Sequence, residues 1–131
     1  MNISLDTNAA LALLLPGREK VRSVVSDLLK MNTCNIADMV FAEVEYVLVH
    51  QYDFTRDVIA RSIRALMNID SIACNKVLLS KVLPLYETKK SLSFVDCCLV
   101  VYAKLNAATP LYTSDKKLVN QSGGLAKLIA N

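Results

Sequence analysis

Asp6, Glu43, Asp96 and Asp115 are the residues whose types and positions suggest chemistry. Each stands where turn-forming sequence gives way to a helix or strand, or on the flank of a helix. Carboxylates sharing one pocket repel, and they relieve that repulsion by taking up protons or a cation. With oxygen donors and one histidine in the whole chain, His50, a set of carboxylates that did share a pocket would take Mg²⁺ or Mn²⁺. Each acid also has a plainer reading. Asp6 follows the strand-like Asn2–Leu5 and precedes Thr7-Asn8, so it can simply cap a helix. It equally sits at the carboxyl end of a strand, where open α/β sheets bind ligands.

Glu43 lies in Phe41-Ala42-Glu43-Val44-Glu45-Tyr46-Val47-Leu48, at helical spacing from Val40 and Val47. It is expected to border the inward face, with Glu45 toward solvent. A carboxylate beside an apolar stripe is costly unless it is paired, protonated or metal-bound. Otherwise its head must reach water. Asp96 falls in Ser93-Phe94-Val95-Asp96, the capping-box spacing. The helix dipole alone favours a carboxylate there. Yet Cys97 to Tyr102 is almost wholly apolar, so the helix that Asp96 opens is a core helix. Asp115 follows Leu111-Tyr112-Thr113 and, like Asp6, marks both a strand's end and a helix's start.

The elements that must position these acids follow from periodicity. Strands are expected at Asn2–Leu5, Thr33–Ile36, Ser71–Cys74 and Pro110–Thr113, and a last strand or helix after Gly123-Gly124. Thr7–Leu15 is helical up to Pro16-Gly17, and Arg18–Lys30 resumes with Val21, Val24, Val25, Leu28 and Leu29 on one face. Asp38–Gln51 turns Val40, Val44, Val47 and Leu48 inward. A further helix, capped by Asp53 or Thr55, carries Val58, Ile59, Ile63, Leu66 and Met67. Asn75–Leu83 is helical, with a kink or restart at Pro84 before about Lys89. Ser93–Leu105 and the short Asp115–Asn120 complete the helices. Strands alternating with helices predict an α/β fold: three layers, with a mostly parallel central sheet of four to five short strands between helices. With no linker or repeat, residues 1–131 read as one domain.

Composition narrows the class. Hydrophobic residues make up 53% of the chain, which suits a buried core rather than disorder. The longest apolar run, Ala9–Leu15, falls well below the ~18 residues of a membrane span. No basic segment precedes it as in a signal peptide, so a soluble cytoplasmic protein is expected. Cys34, Cys74, Cys97 and Cys98 match no zinc spacing and read as free thiols, with Cys97 and Cys98 diverging on a helix. A net charge of +3 does not by itself announce nucleic-acid binding. The basic groups Arg18/Lys20/Arg22, Lys89/Lys90 and Lys116/Lys117 each read first as solvated surface.

Taken together, four blocks make the chain resemble the PIN-domain ribonucleases, specifically the VapC-like toxins of toxin–antitoxin pairs. They are Leu5-Asp6-Thr7-Asn8-Ala9, Ala42 to Leu48, Ser93-Phe94-Val95-Asp96, and Leu111 to Leu118. The resemblance, not the spacing, implies that Asp6, Glu43, Asp96 and Asp115 share one pocket. It also implies supporting roles for Asn8 and Thr113. The expected reaction is metal-assisted hydrolysis of RNA. Asp6, Asp96 and Asp115 would hold the ion, and Glu43 would orient or deprotonate water or ligate a second ion. Arg18, Lys89, Lys90, Lys116 and Lys117 would steer the RNA backbone. A homodimer and a cognate antitoxin that covers the pocket are further implications, with Tyr46, Val49 and Tyr52 available for such contacts or for core packing. Some relatives carry another acid just after the one matching Asp115. Here Lys116-Lys117-Leu118-Val119 follow, which leaves the second metal position open.

Two other classes compete. A receiver-like phosphotransfer module would want paired acids after the first strand, but Thr7-Asn8 follow Asp6, and Asp70 is poorly placed as a phosphoacceptor. A dehalogenase-like phosphatase would need an acid where Asn8 stands. A PIN-like domain that only binds RNA or a partner would not require all four acids.

Overall fold

The computed structural model describes residues 1–129 as two compact units, Met1–Asn75 and the chain from Lys76 onward. The first unit contains β1 (Asn2–Ser4), α1 (Thr7–Leu14), α2 (Glu19–Met31), β2 (Thr33–Asn35), α3 (Asp38–His50), α4 (Arg56–Met67) and β3 (Ile72–Ala73). Its strands form one parallel ladder in the order β1-β2-β3, with Ile3 opposite Cys34 and Cys34 opposite Ile72. Each strand is very short, because β-forming sequence yields to a helix cap or turn within a few residues.

α1 is apolar almost all round and is buried accordingly, with Ala10, Leu11 and Ala12 inaccessible. It packs against α2, α3 and α4, so the acid at its N-terminus is fixed by a core helix. Gly17, at φ +79°, makes the turn from α1 into α2 in a conformation that other residues adopt only at a cost.

The inward face of α2 differs from expectation. Val25 is buried, Leu28 and Leu29 are half-buried, but Val21 and Val24 are exposed. The cause is Arg22, whose guanidinium donates to the carbonyl oxygens of Ala12 and Leu15 at the end of α1. That satisfies orphaned helix-end acceptors and turns the Arg22–Val25–Leu29 stripe inward. α3 is rotated in the same manner: its core is Phe41, Val44 and Leu48, while Val40 and Val47 are half-buried. At about 100° per residue, including Phe41 moves the buried face toward Glu45. Glu45 is therefore half-buried and Glu43 exposed, the reverse of the sequence reading.

The second unit contains α5 (Lys76–Thr88), α6 (Phe94–Leu105), β4 (Leu111–Thr113), α7 (Lys116–Gln121) and β5 (Ala126–Leu128). β4 and β5 pair in parallel, with Tyr112 opposite Lys127. Of the kink or restart expected at Pro84, the restart does not occur, because α5 runs through the proline as one helix. Leu78, Leu79, Val82, Leu83 and Tyr86 are buried on both sides of the proline, and that burial outweighs one missing hydrogen bond. Tyr86 meets Phe94 edge-on at 5.4 Å, locking α5 to α6. α6 ends with Ala107 at φ +52°, its N–H bonded to Lys104 O and that of Ala108 bonded to Ala103 O.

Among the described residues the architecture is therefore α/β with five short strands, every pairing parallel, in ladders of three and two. No helix among the described residues is long and apolar enough to cross a membrane. The four cysteines are thiols rather than disulfides, with Cys34, Cys97 and Cys98 buried and Cys74 half-buried.

Candidate catalytic carboxylates

Asp6 is set by the junction of β1 and α1. Its backbone is extended, and its Oδ1 accepts the Ala9 N–H at 3.0 Å, so the predicted cap forms. One carboxylate oxygen is spent on the helix, and no hydrogen bond among the described residues occupies the other. A cavity of about 330 Å³ opens at the carboxyl edge of the same ladder, lined by Ser4, Leu5, Asn35, Ile36, Ala37, Ala73 and Cys74. This is where a parallel α/β sheet binds ligands.

A second acid stands at this edge that the sequence reading missed. Asp38 opens α3 just past β2, and its Oδ2 accepts from Asn75 Nδ2 at 3.3 Å. The signal was present, since Asp38 follows a strand by the same logic as Asp6. Glu43 lies further along α3, the helix that packs on α1, with its side chain exposed. His50 stacks on Tyr46 at 4.1 Å between ring centroids rather than sitting among carboxylates.

In the second unit, Asp96 completes the capping box. Ser93 Oγ accepts the Asp96 N–H at 3.0 Å, and Asp96 Oδ2 accepts the Ser93 N–H at 3.4 Å. Asp115 caps α7, its Oδ1 accepting from Lys117 N at 2.9 Å and Leu118 N at 3.4 Å. Thr113 Oγ1 in turn accepts the Asp115 N–H at 3.0 Å, so Thr113 fixes the turn that presents this acid. Both α6 and α7 pack against β4. Asn8, by contrast, makes no hydrogen bond to Asp6 among the described residues; it lines a separate cleft with Arg18.

The four predicted acids thus divide between the units, Asp6 and Glu43 in the first and Asp96 and Asp115 in the second. Within neither unit do three His, Cys, Asp or Glu side chains among the described residues form a metal-holding group. None of the four carboxylates is in an ion pair among the described residues. Hard carboxylate oxygens left without a countercharge match what Mg²⁺ or Mn²⁺ takes as ligands.

Among the basic candidates, Arg18 is half-buried and donates to the Tyr52 hydroxyl at 3.1 Å. Lys89 and Lys90 follow α5 and are exposed, as are Lys116 and Lys117 in the first turn of α7. Tyr46 and Tyr52 are also exposed, which rules out the core-packing role left open for them, while Val49 is half-buried.

The family model described as PIN domain matches residues 3–123. No curated protein matches the chain.

Proposed function

Because the chain belongs to the PIN-domain family, which matches it over residues 3–123 and has a nuclease-type fold, we propose that it is a metal-dependent endoribonuclease and the toxin of a toxin–antitoxin pair. The observation that carries this reading is the division of labour within three carboxylates. Asp6, Asp96 and Asp115 each commit one oxygen to a helix N-terminus and leave the other without a hydrogen bond or cationic partner among the described residues. A cap alone needs only the committed oxygen. Three rigidly held carboxylates with a spare oxygen each are donors for a hard cation.

In this reading residues 1–131 act as one domain, supported by a family match that crosses both units. Asp6, Asp96 and Asp115 would hold Mg²⁺ or Mn²⁺. A divalent ion bound there would offset the negative charge that builds on the phosphate and favour ionisation of water. Glu43, exposed and without a partner among the described residues, would accept the proton of the attacking water or orient it. Thr113 keeps Asp115 in place. Lys89, Lys90, Lys116 and Lys117 attract the RNA backbone. By family resemblance the products carry a 5′-phosphate and a 3′-hydroxyl. The same resemblance supports a homodimer held silent in the cytoplasm by a cognate antitoxin, whose arginine would pair with the acids.

The test is cleavage of an RNA panel by the purified protein with Mg²⁺ or Mn²⁺, with EDTA, and with Asp115→Asn. Cleavage should need metal and the intact acid, and mapped ends should carry a 5′-phosphate. Activity that survives EDTA, or a folded, metal-supplied protein inert on every RNA, would overturn the proposal.

A further inference from the structure

Beside Asn8 lies a cleft of about 640 Å³, lined by Asn8, Gly17, Arg18, Glu19, Lys20 and Val21. It adjoins the start of α1, where Asn8 is two residues, about 3 Å of helix rise, past Asp6. Two of its side chains are cations. Its one carboxylate, Glu19, is engaged, with Oε1 accepting the Gly17 N–H at 3.2 Å. The third cation nearby, Arg22, is spent on the carbonyls of Ala12 and Leu15.

Arg18 is tethered. Its Nη2 donates to the Tyr52 hydroxyl at 3.1 Å across 34 residues of sequence. A guanidinium held by one donor keeps others for a phosphate, at less entropic cost than a free side chain. Tyr52 is 41% exposed, and its ring meets Phe54 edge-on at 6.4 Å. An anchored cation beside an open aromatic face is the pairing that single-stranded nucleic acid uses, phosphate on the charge and base on the ring.

We propose that this cleft seats one unpaired nucleotide of the RNA next to Asp6, with its phosphate on Arg18 and Lys20 and its base stacked on Tyr52. The inference rests on the endoribonuclease reading and adds to it a subsite: a seat beside Asp6 for one unpaired nucleotide, built from Arg18, Lys20 and Tyr52. Bases in a duplex are stacked on one another and cannot reach Tyr52. Asn8, at the cleft wall, offers an amide to the ribose or phosphate.

The test is binding of a labelled single-stranded RNA, and of the same sequence as a duplex, to full-length protein carrying Asp6→Asn so that it does not cut. Arg18→Gln with Lys20→Gln should weaken single-strand binding and lower the slope of log affinity against log salt by about 1.4, near 0.7 for each lost phosphate contact. Tyr52→Ala should cost the single strand about tenfold and leave the duplex unchanged. Tyr52→Phe should keep the stacking and lose only the part owed to the Arg18 tether. Should the Arg18 variant fold poorly, Lys20→Gln alone, at an exposed position, should still lower the slope by about 0.7. An unchanged slope, or equal losses for single strand and duplex on Tyr52→Ala, overturns the subsite. A protein that with Asp6 intact does not cut RNA and with Asp6→Asn does not bind it overturns the endoribonuclease reading as well, whereas cutting and binding that the subsite variants leave unchanged remove the subsite alone.

Discussion

Ser93 and Asp96 bond each other reciprocally, side chain to backbone in both directions, at 3.0 and 3.4 Å. One interaction therefore fixes two things: the start of α6 and the position of the Asp96 carboxylate. Ser93→Ala removes the cap oxygen and should cost about 1 kcal/mol. In a domain of this size that is roughly a 3–5 °C fall in Tm. Because Asp96 then loses its brace, RNA cleavage should fall at temperatures where the variant is still folded. Thermal melts and cleavage rates on the same samples check this; an unchanged Tm would show that the box contributes nothing.

Asp6 can be separated into its two roles by a single substitution. Asparagine caps helices about as well as aspartate, so Asp6→Asn should keep the Ala9 hydrogen bond and stay within about 0.5 kcal/mol of the parent. It removes a charged metal donor, and that charge is worth several kcal/mol in the transition state, so cleavage should drop at least ~100-fold. Asp6→Ala should lose both, with about 1 kcal/mol of stability. A folded Asp6→Asn protein cutting at the parent's rate would leave Asp6 as a cap and nothing more.

An ion that binds only the folded chain stabilises it by mass action, about 2.7 kcal/mol at a hundred times its Kd. Mn²⁺ or Mg²⁺ should therefore raise Tm, EDTA should reverse the rise, and Asp115→Asn should abolish it. Calorimetry across millimolar metal reads this without any RNA present. Equal shifts in parent and Asp115→Asn would place the binding elsewhere.

The parts of this protein legible in the sequence are those set by local chemistry. Caps at Asp6, Thr55, Ser93 and Asp115 form as their residue types dictate, and the strands that precede Asp6 and Asp115 lie within one residue of expectation. What was not legible depends on partners distant in the chain. Arg22 turns α2 because the end of α1 needs donors, and Phe41 turns α3 because it is the largest wholly apolar side chain there. Pro84 is carried inside α5 by burial on both its flanks, and the end of α6 is marked by Ala107 at positive φ, where a glycine would have signalled it. For the candidate site, the acid types and their element junctions were readable. The exposure of Glu43 and the placement of Asp38 beside Asn75 needed the helix rotations and the ladder.

Lys116 and Lys117 sit where the helix dipole disfavours them. They occupy the first turn of α7, the positive end, with Asp115 as the one opposing charge at that cap. A pair of cations at that end lowers stability unless RNA binding rewards it. Lys116→Gln with Lys117→Gln should therefore raise stability by about 0.3–1 kcal/mol. The same change should weaken RNA binding and reduce its salt slope, because two phosphate contacts are lost. Melts and salt titrations on the double variant decide the matter. A gain in Tm with unchanged RNA affinity would mean that these lysines are surface charge and that the RNA path runs elsewhere.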